Sequence, residues 1–459
     1  MQMGFVFDLN KCTGCSACQL ACSIENNVSL PLNWRKVLTF NTERIPDLAF
    51  HHLSLACNHC IDPPCMKYCP SSAISKNTLT GAVLINSEKC IGCRYCSWVC
   101  PYDAPQFNET TGLMEKCTFC QHRLEEHLLP ACVALCPTSA LNFGEYMSAD
   151  PPEAVAGFTQ TEIKPALTLV PLRSKTSIME DVGLPFGERT LQQFRENLRQ
   201  RRQNKKINWL DEWPLIIFTA LTAILIGLIS ARLLTGNPLI PDFLIPILAA
   251  SGFIVSSLHL GKKTRAFRAI VNWRNSWLSR EIAAYATFFL LVSTYFLMMP
   301  AQIWLGWLAL LPGYYALQAM DNIYRVLPLS EPQKNHSAGA LLTGLYVAAV
   351  LSGVLTITLL FGLTKLFLYS GTKIRSGEIF QPAALLFILV RILAGFFLPV
   401  AVLSGIFSAG HLAVFFGLVV AELIDRSDFY RALNLITPDT QMSLDFKKHV
   451  AQAKSMIQP

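Results

Sequence analysis

From Trp213 onward the chain is a succession of apolar stretches, each near the ~20 residues that a helix needs to cross a bilayer. The pattern predicts spans at about 213–234, 240–260, 282–300, 302–320, 382–403 and 406–424, plus one long stretch from Ser337 to Gly371. A single tilted helix through that stretch gives seven spans; a tight hairpin near Ser352-Gly353 gives eight, with two short halves. Ahead of the first span lie a polar, proline-containing linker from about Ser148 and a basic run of Arg195, Arg199, Arg201, Arg202, Lys205 and Lys206.

Composition agrees with a membrane portion. With 52% hydrophobic residues and a mean hydropathy of +0.37, the 459-residue chain is too apolar for an ordinary soluble protein of its length. Positive charge orients the spans. The basic run and the loop carrying Lys262, Lys263, Arg265, Arg268, Arg274 and Arg280 are both rich in cations, whereas the connections around Asn237 and Met299 have none. By the positive-inside rule the N-terminal portion faces the cytoplasm, at the inner membrane. Arg426 and Arg431 fall on that side only with eight spans, which favours eight. These membrane-flanking runs account for much of the net charge of +7, so no nucleic-acid partner is expected.

All sixteen cysteines precede the membrane portion. They form four groups of four: Cys12, Cys15, Cys18, Cys22; Cys57, Cys60, Cys65, Cys69; Cys90, Cys93, Cys96, Cys100; and Cys117, Cys120, Cys132, Cys136. The third has the bacterial ferredoxin spacing C-x2-C-x2-C-x3-C-P, in which three thiolates hold one cubane and the fourth reaches a second cluster. Pro70, Pro101 and Pro137 close groups two, three and four, where proline stops the helical turn and turns the last thiolate away. Group one ends instead in Cys22-Ser23. Four groups imply four [4Fe-4S] clusters, built in pairs. A disulfide framework is the bland alternative, but the N-terminus does not read as a signal peptide and repeated short spacings suit metal better than staples. Zinc needs only C-x2-C pairs and leaves the four tetrads and their proline endings unexplained.

Two segments, S-L-A-C-N-H-C-I-D-P-P-C-M-K-Y-C-P (Ser54–Pro70) and C-I-G-C-R-Y-C-S-W-V-C-P-Y-D-A-P-Q-F-N-E-T (Cys90–Thr110), carry a specific resemblance. Residues 4–145 resemble the four-cluster electron-transfer subunit of dimethyl sulfoxide reductase and related molybdopterin oxidoreductases. D-E-W-P-L-I-I-F-T (Asp211–Thr219), S-S-L-H-L-G (Ser256–Gly261), M-D-N-I-Y-R (Met320–Arg325) and A-E-L-I-D-R (Ala421–Arg426) resemble the membrane-anchor subunit of the same complex. The resemblance implies a fusion of two usually separate subunits. It also implies the ligand sets: Cys12, Cys15, Cys18 with Cys136; Cys117, Cys120, Cys132 with Cys22; Cys57, Cys60, Cys65 with Cys100; and Cys90, Cys93, Cys96 with Cys69. Relatives with tryptophan at one cysteine of the third group carry a three-iron cluster. This chain keeps all four there, which implies four cubanes. The implied partner is a catalytic subunit with bis-molybdopterin guanine dinucleotide, so substrate chemistry sits on another polypeptide.

The membrane end then needs a site for quinol from the lipid pool, expected to be menaquinol. Ionisable residues in apolar spans are the place to look. His259, at the end of the second span and in the family's L-H-L-G position, is the candidate, since histidine titrates near neutrality and can accept a quinol proton. A helix cap or headgroup contact would explain His259 equally. Arg391 and Glu422 read as a structural intramembrane pair, and Glu281 and Asp321 as solvated span ends. Without C-x-x-C-H, and with His259 and His411 on opposite sides in the eight-span reading, no haem is expected.

The expected fold is an α+β doubled bacterial-type ferredoxin domain followed by an all-α polytopic membrane helix bundle of seven or eight spans. The expected divisions are a cluster domain 1–147, a linker 148–210, a transmembrane anchor 211–427 and a C-terminal tail 428–459. The expected function is electron transfer between membrane quinol and a separate molybdenum subunit during anaerobic respiration. Two alternatives stand beside it. The same architecture could run in reverse, from sulfite or another reduced substrate to quinone, or the membrane portion could be an attachment module without a quinone site.

Overall fold

The computed structural model describes residues 2–42, 49–146, 155–159, 161–173, 206–329 and 336–457. Of the basic run ahead of the first span, all but Lys206 lies outside the described residues. The chain forms two units, 1–206 with 435–459, and 207–434.

The first unit is built from short pieces. Its strands are β1 (Met3–Asp8), β2 (Lys36–Phe40), β3 (His51–Leu55), β4 (Ile74–Lys76), β5 (Val83–Ile85), β6 (Gln106–Asn108), β7 (Leu113–Glu115), β8 (Leu141–Glu145) and β9 (Leu167–Val170). The strands β2 and β3, β4 and β5, and β6 and β7 form antiparallel pairs. Strand β1 is flanked by antiparallel β8 and parallel β9. Alternation on β1 buries Phe5 and Phe7, and Phe5, Phe119 and Phe143 meet edge to face at 5.1–5.5 Å between centroids. Short helices α1 (Ala17–Glu25), α2 (Pro64–Lys67), α3 (Tyr95–Trp98), α4 (Gln121–Glu125) and α5 (Ala131–Ala134) each begin within or just after a cysteine group.

Two sequence boundaries move. The expected linker at 148–210 contains β9, whose Leu167 and Leu169 pair beside Phe5 and Phe7, so the chain returns to complete the first unit. The expected tail at 428–459 contains a helix over Pro438–Ile457 that belongs to the same unit. Its Met442 and Phe446 are buried, Phe446 meets Phe40 at 6.1 Å, and Asp445 accepts the Gly157 N–H at 2.8 Å. The apolar face of an amphipathic helix needs a partner, and the small cysteine-rich core supplies one.

The second unit is helical: α6 (Trp213–Thr235), α7 (Leu244–Ser257), α8 (Trp277–Leu297), α9 (Ile303–Arg325), α10 (Ala340–Leu351), α11 (Leu355–Ser376), α12 (Pro382–Ile392), α13 (Leu398–Leu403) and α14 (His411–Ala432). Helix α6 is apolar all round and almost wholly buried, as a bundle's central helix must be. Gly227 lets it approach α10 so closely that an added Cβ would meet the Gly344 carbonyl at 2.8 Å. Large apolar side chains such as Trp304, Phe367, Leu386 and Phe416 point outward, the arrangement of a bundle surrounded by lipid. By length and composition, three described helices can cross a membrane: Trp213–Thr235, Leu355–Ser376 and Ala384–Leu403.

The long stretch from Ser337 to Gly371 is two helices. Gly353, with φ of 75°, turns the chain between α10 and α11, and the Gly353 and Val354 N–H groups bond back to Val350 and Ala349. Between α12 and α13 residues 393–397 form a π turn. Pro399 has no N–H to give the Gly395 carbonyl four residues earlier, and the Tyr346 hydroxyl donates to that carbonyl instead.

Candidate functional site

The four cysteine loops share one backbone device. The residue before the second cysteine has positive φ in each: Gly14 at 72°, His59 at 41°, Gly92 at 69° and Phe119 at 62°. Such a turn aims successive N–H groups at one point, a nest that favours an anionic sulfur cluster. Glycine adopts it without strain. His59 and Phe119 instead stack on one another at 3.5 Å, both fully buried. His59 Nδ1 accepts the Val83 N–H at 2.8 Å. Burial, with Lys116 and Arg35 adding to it, holds the pKa of His59 well below its usual value, so the ring is neutral.

None of the sixteen thiols is in a disulfide. Cys12 lies in the field of Cys18, Cys136 and Cys15, and Cys22 in that of Cys132, Cys120 and Cys18. Cys60 is acted on by Cys57, Cys100 and Cys65, and Cys96 by Cys93, Cys69, Cys65 and Cys90. The thiols therefore gather in four sets, each joining cysteines from separate loops. Some thiols border two sets: Cys18 acts on Cys22, Cys57 on Cys117, and Cys65 on Cys96. These electrostatic links join Cys12, Cys15, Cys18 and Cys136 to Cys22, Cys117, Cys120 and Cys132, those to Cys57, Cys60, Cys65 and Cys100, and those in turn to Cys69, Cys90, Cys93 and Cys96.

The sets suit a cluster better than a single ion. Among the described residues no three His, Cys, Asp or Glu side chains close on one point as they would around an ion. A cavity is instead lined by Cys57, Cys60, Cys65 and Cys100 together, with Lys116. Burial, then mutual repulsion, pushes most of these thiols up, Cys22 to about 12 even with Arg35 beside it. Four such thiolates can coexist only if metal offsets their charge. Donors to sulfur are in place: the Ala73 N–H to Cys69 Sγ at 3.3 Å and Asn26 Nδ2 to Cys120 Sγ at 3.7 Å. At Cys136 burial is outweighed by the N–H groups of Leu141, Thr138 and Ala140, which leave its pKa lowered.

In the helical unit His259 follows the last turn of α7 and is half-buried. Glu281 is not solvated: it is 4% exposed and lies in the field of Arg426. Asp321 is not a free span end either, since it accepts the Ala340 and Leu341 N–H groups at 2.7 and 3.1 Å and so caps α10. The expected Arg391–Glu422 pair is not formed. Arg391 pairs with Asp425 at 2.7 Å, while Glu422 pairs with Lys365 at 2.9 Å. Lys365 also reaches Thr343 Oγ1 at 2.9 Å and Asp425 at 3.5 Å, and the Ser337 hydroxyl donates to Asp425 at 2.6 Å. Near the helix ends Lys373 and the Tyr369 hydroxyl both contact Asp428, at 2.9 and 2.8 Å. Lys365 escaped the sequence reading, though a lone lysine inside an apolar run is itself a signal.

Residues 48–146 match the family described as a 4Fe-4S dicluster domain, and residues 207–304 match the DMSO reductase anchor subunit (DmsC). An anaerobic dimethyl sulfoxide reductase polypeptide of Haemophilus influenzae is 42% identical over 151 residues, covering 31% of this chain and 73% of its own length. The arsenate respiratory reductase iron-sulfur subunit ArrB of Shewanella sp. is 34% identical, covering 32% and 82%. A sulfite dehydrogenase subunit of Allochromatium vinosum is 35% identical, covering 34% and 73%. With its cysteine loops matching the one group and its helices the other, the chain belongs to the iron–sulfur subunit family of dimethyl sulfoxide reductase and its relatives, and carries a DmsC-type membrane anchor in the same polypeptide.

Proposed function

We propose that this chain is the electron-transfer and quinol-oxidising anchor subunit of a molybdopterin oxidoreductase complex, holding one [4Fe-4S] cluster in each of its four thiol sets. What supports the reading is that cysteines from separate loops act on one another in four linked sets, most of their thiols buried. When bound, the clusters take up and release electrons one at a time. The chain's own contribution is to space them, exclude water and supply N–H donors to sulfur. Substrate chemistry falls to a separate catalytic subunit with bis-molybdopterin guanine dinucleotide, a partner inferred from the dimethyl sulfoxide reductase relatives.

The anchor is read as eight spans, α6 to α11, α12 continued by α13, and α14. Arg426 Nε donates to Thr219 Oγ1 at 2.9 Å, which supports placing the C-terminal end of α14 beside the N-terminal end of α6, so that the number of crossings is even. The basic loop after α7 then lies at that same end, which by the positive-inside rule is cytoplasmic. His259 and Glu281 flank this loop and are the candidates for accepting protons from quinol, expected to be menaquinol.

The reading requires about sixteen irons per chain and a His259→Ala variant impaired in quinol oxidation. Wild-type turnover in that variant would remove His259 from the site. The sulfite dehydrogenase relative favours a second reading, electron flow from a reduced substrate into quinone. Purified complex offered quinol plus sulfoxide, or sulfite plus quinone, separates the two by which pair turns over.

A further inference from the structure

Two cations lie wholly inside the cysteine-bearing unit, each at a junction between thiol sets. Arg35 is 2% exposed. Its Nη1 donates to Ser54 Oγ at 3.1 Å, and that hydroxyl contacts Cys18 Sγ at 3.3 Å. Its guanidinium carbon sits 4.5 Å over the Phe5 ring, and its charge is felt by Cys132, Cys117, Cys18 and Cys22. Arg35 is therefore coupled to thiols of both the first set and the second. Lys116 is 3% exposed. Its Nζ donates to the Val83 and Cys117 carbonyls, and it lines the cavity of Cys57, Cys60, Cys65 and Cys100, between the second set and the third.

Among the described residues neither cation is paired with a carboxylate, and the groups that act on each are cysteine thiols. Lys36 and Lys206 differ, since both pair with Asp103, at 2.9 and 3.1 Å. A buried cation without an anion is costly. The anions available to Arg35 and Lys116 are thiolate-held clusters, each of which gains one negative charge when reduced. In a row of such clusters the interior members have anionic neighbours on both sides, and repulsion makes them the hardest to reduce. The two cations stand where that repulsion is greatest.

We propose that Arg35 and Lys116 are charge-setting residues that raise the reduction potentials of the clusters beside them, so that the interior of the row is no barrier to electron flow. The inference rests on the cluster reading above. At a separation of about 7 Å and an effective dielectric of about 20, one unit charge shifts a reduction equilibrium about fiftyfold. At 59 mV per tenfold that is about 100 mV.

The test is a redox titration of the full chain with its partner in membranes, followed by low-temperature electron paramagnetic resonance. Arg35→Gln should make the clusters of the first two sets about fiftyfold harder to reduce, and Lys116→Gln those of the second and third. Arg35→Lys, which keeps the charge, should stay near wild type, and the cluster held by Cys69, Cys90, Cys93 and Cys96 should move far less. Potentials within about twofold of wild type in both glutamine variants at full iron content would overturn the proposal, as would Arg35→Lys falling as far as Arg35→Gln. If Arg35→Gln loses iron, Lys116→Gln decides alone, and loss of iron in both also overturns it. A wild-type chain without iron would sink the cluster reading instead.

Discussion

Lys365 sits midway along the 22-residue helix α11, and Glu422 midway along the 22-residue helix α14. With Arg391 and Asp425 they make a group of two cations and two anions, each 3% exposed or less, whose charges sum to zero. Lys365→Met leaves Asp425 its Arg391 and Ser337 partners but leaves Glu422 only the Thr343 hydroxyl, at 3.0 Å. One uncompensated charge then remains in the interior, and breaking a buried pair from one side costs about 3–5 kcal/mol. The double variant Lys365→Met, Glu422→Gln restores neutrality, keeps a hydrogen-bonding partner for Thr343 and should recover more than half of that loss. The assay is reversible unfolding of the purified chain in mixed detergent micelles, followed by tryptophan fluorescence. A single variant costing less than about 1 kcal/mol, or a double variant less stable than the single, would refute the reasoning, because the pair would then not be held dry.

Removing iron with a chelator under anaerobic conditions should unfold the cysteine-bearing unit, seen as lost far-ultraviolet circular dichroism from it, because its small core is completed by metal. Gly14→Ala should lower the iron content, read by iron analysis: φ of 72° strains any side chain, and the new Cβ would meet the His52 ring at 2.5 Å. Gly227→Leu should destabilise the helical unit by more than Gly227→Ala, in the same micelle assay, since both force α6 away from the Gly344 carbonyl and Val347 of α10. A cysteine placed at Ser352 should react with an impermeant thiol reagent from the side opposite the basic loop after α7 if α10 and α11 are separate spans, and should be silent if one helix runs through.

The cysteine groups were legible because metal ligation leaves its mark in local spacing: three thiols two residues apart must share a loop. Apolar runs were legible for a similar reason, since lipid tolerates few ionisable residues. Boundaries were less so. The strand at Leu167–Val170 looks like linker because four residues carry little period, and only β1 beside it makes it a strand. The helix at Pro438–Ile457 reads as tail until Phe40 is there to receive Phe446. The partner of Arg391 across the helices was misread. Arg391 takes Asp425 rather than Glu422, because the facing turn of α14 puts one carboxylate toward α12 and the other toward Lys365.

By itself the sequence pointed to metal held by thiols in tetrads, to a stretch of apolar helices from Trp213 that belongs in lipid, and to basic flanks on one end of it. Tertiary structure alone decided the burial of Arg35 and Lys116 among the cysteines and the pairing of the buried charges. The physical reason is range: loop spacing and hydropathy act over a few residues, whereas a buried charge is governed by whatever the fold brings within a few ångströms, from anywhere in the chain.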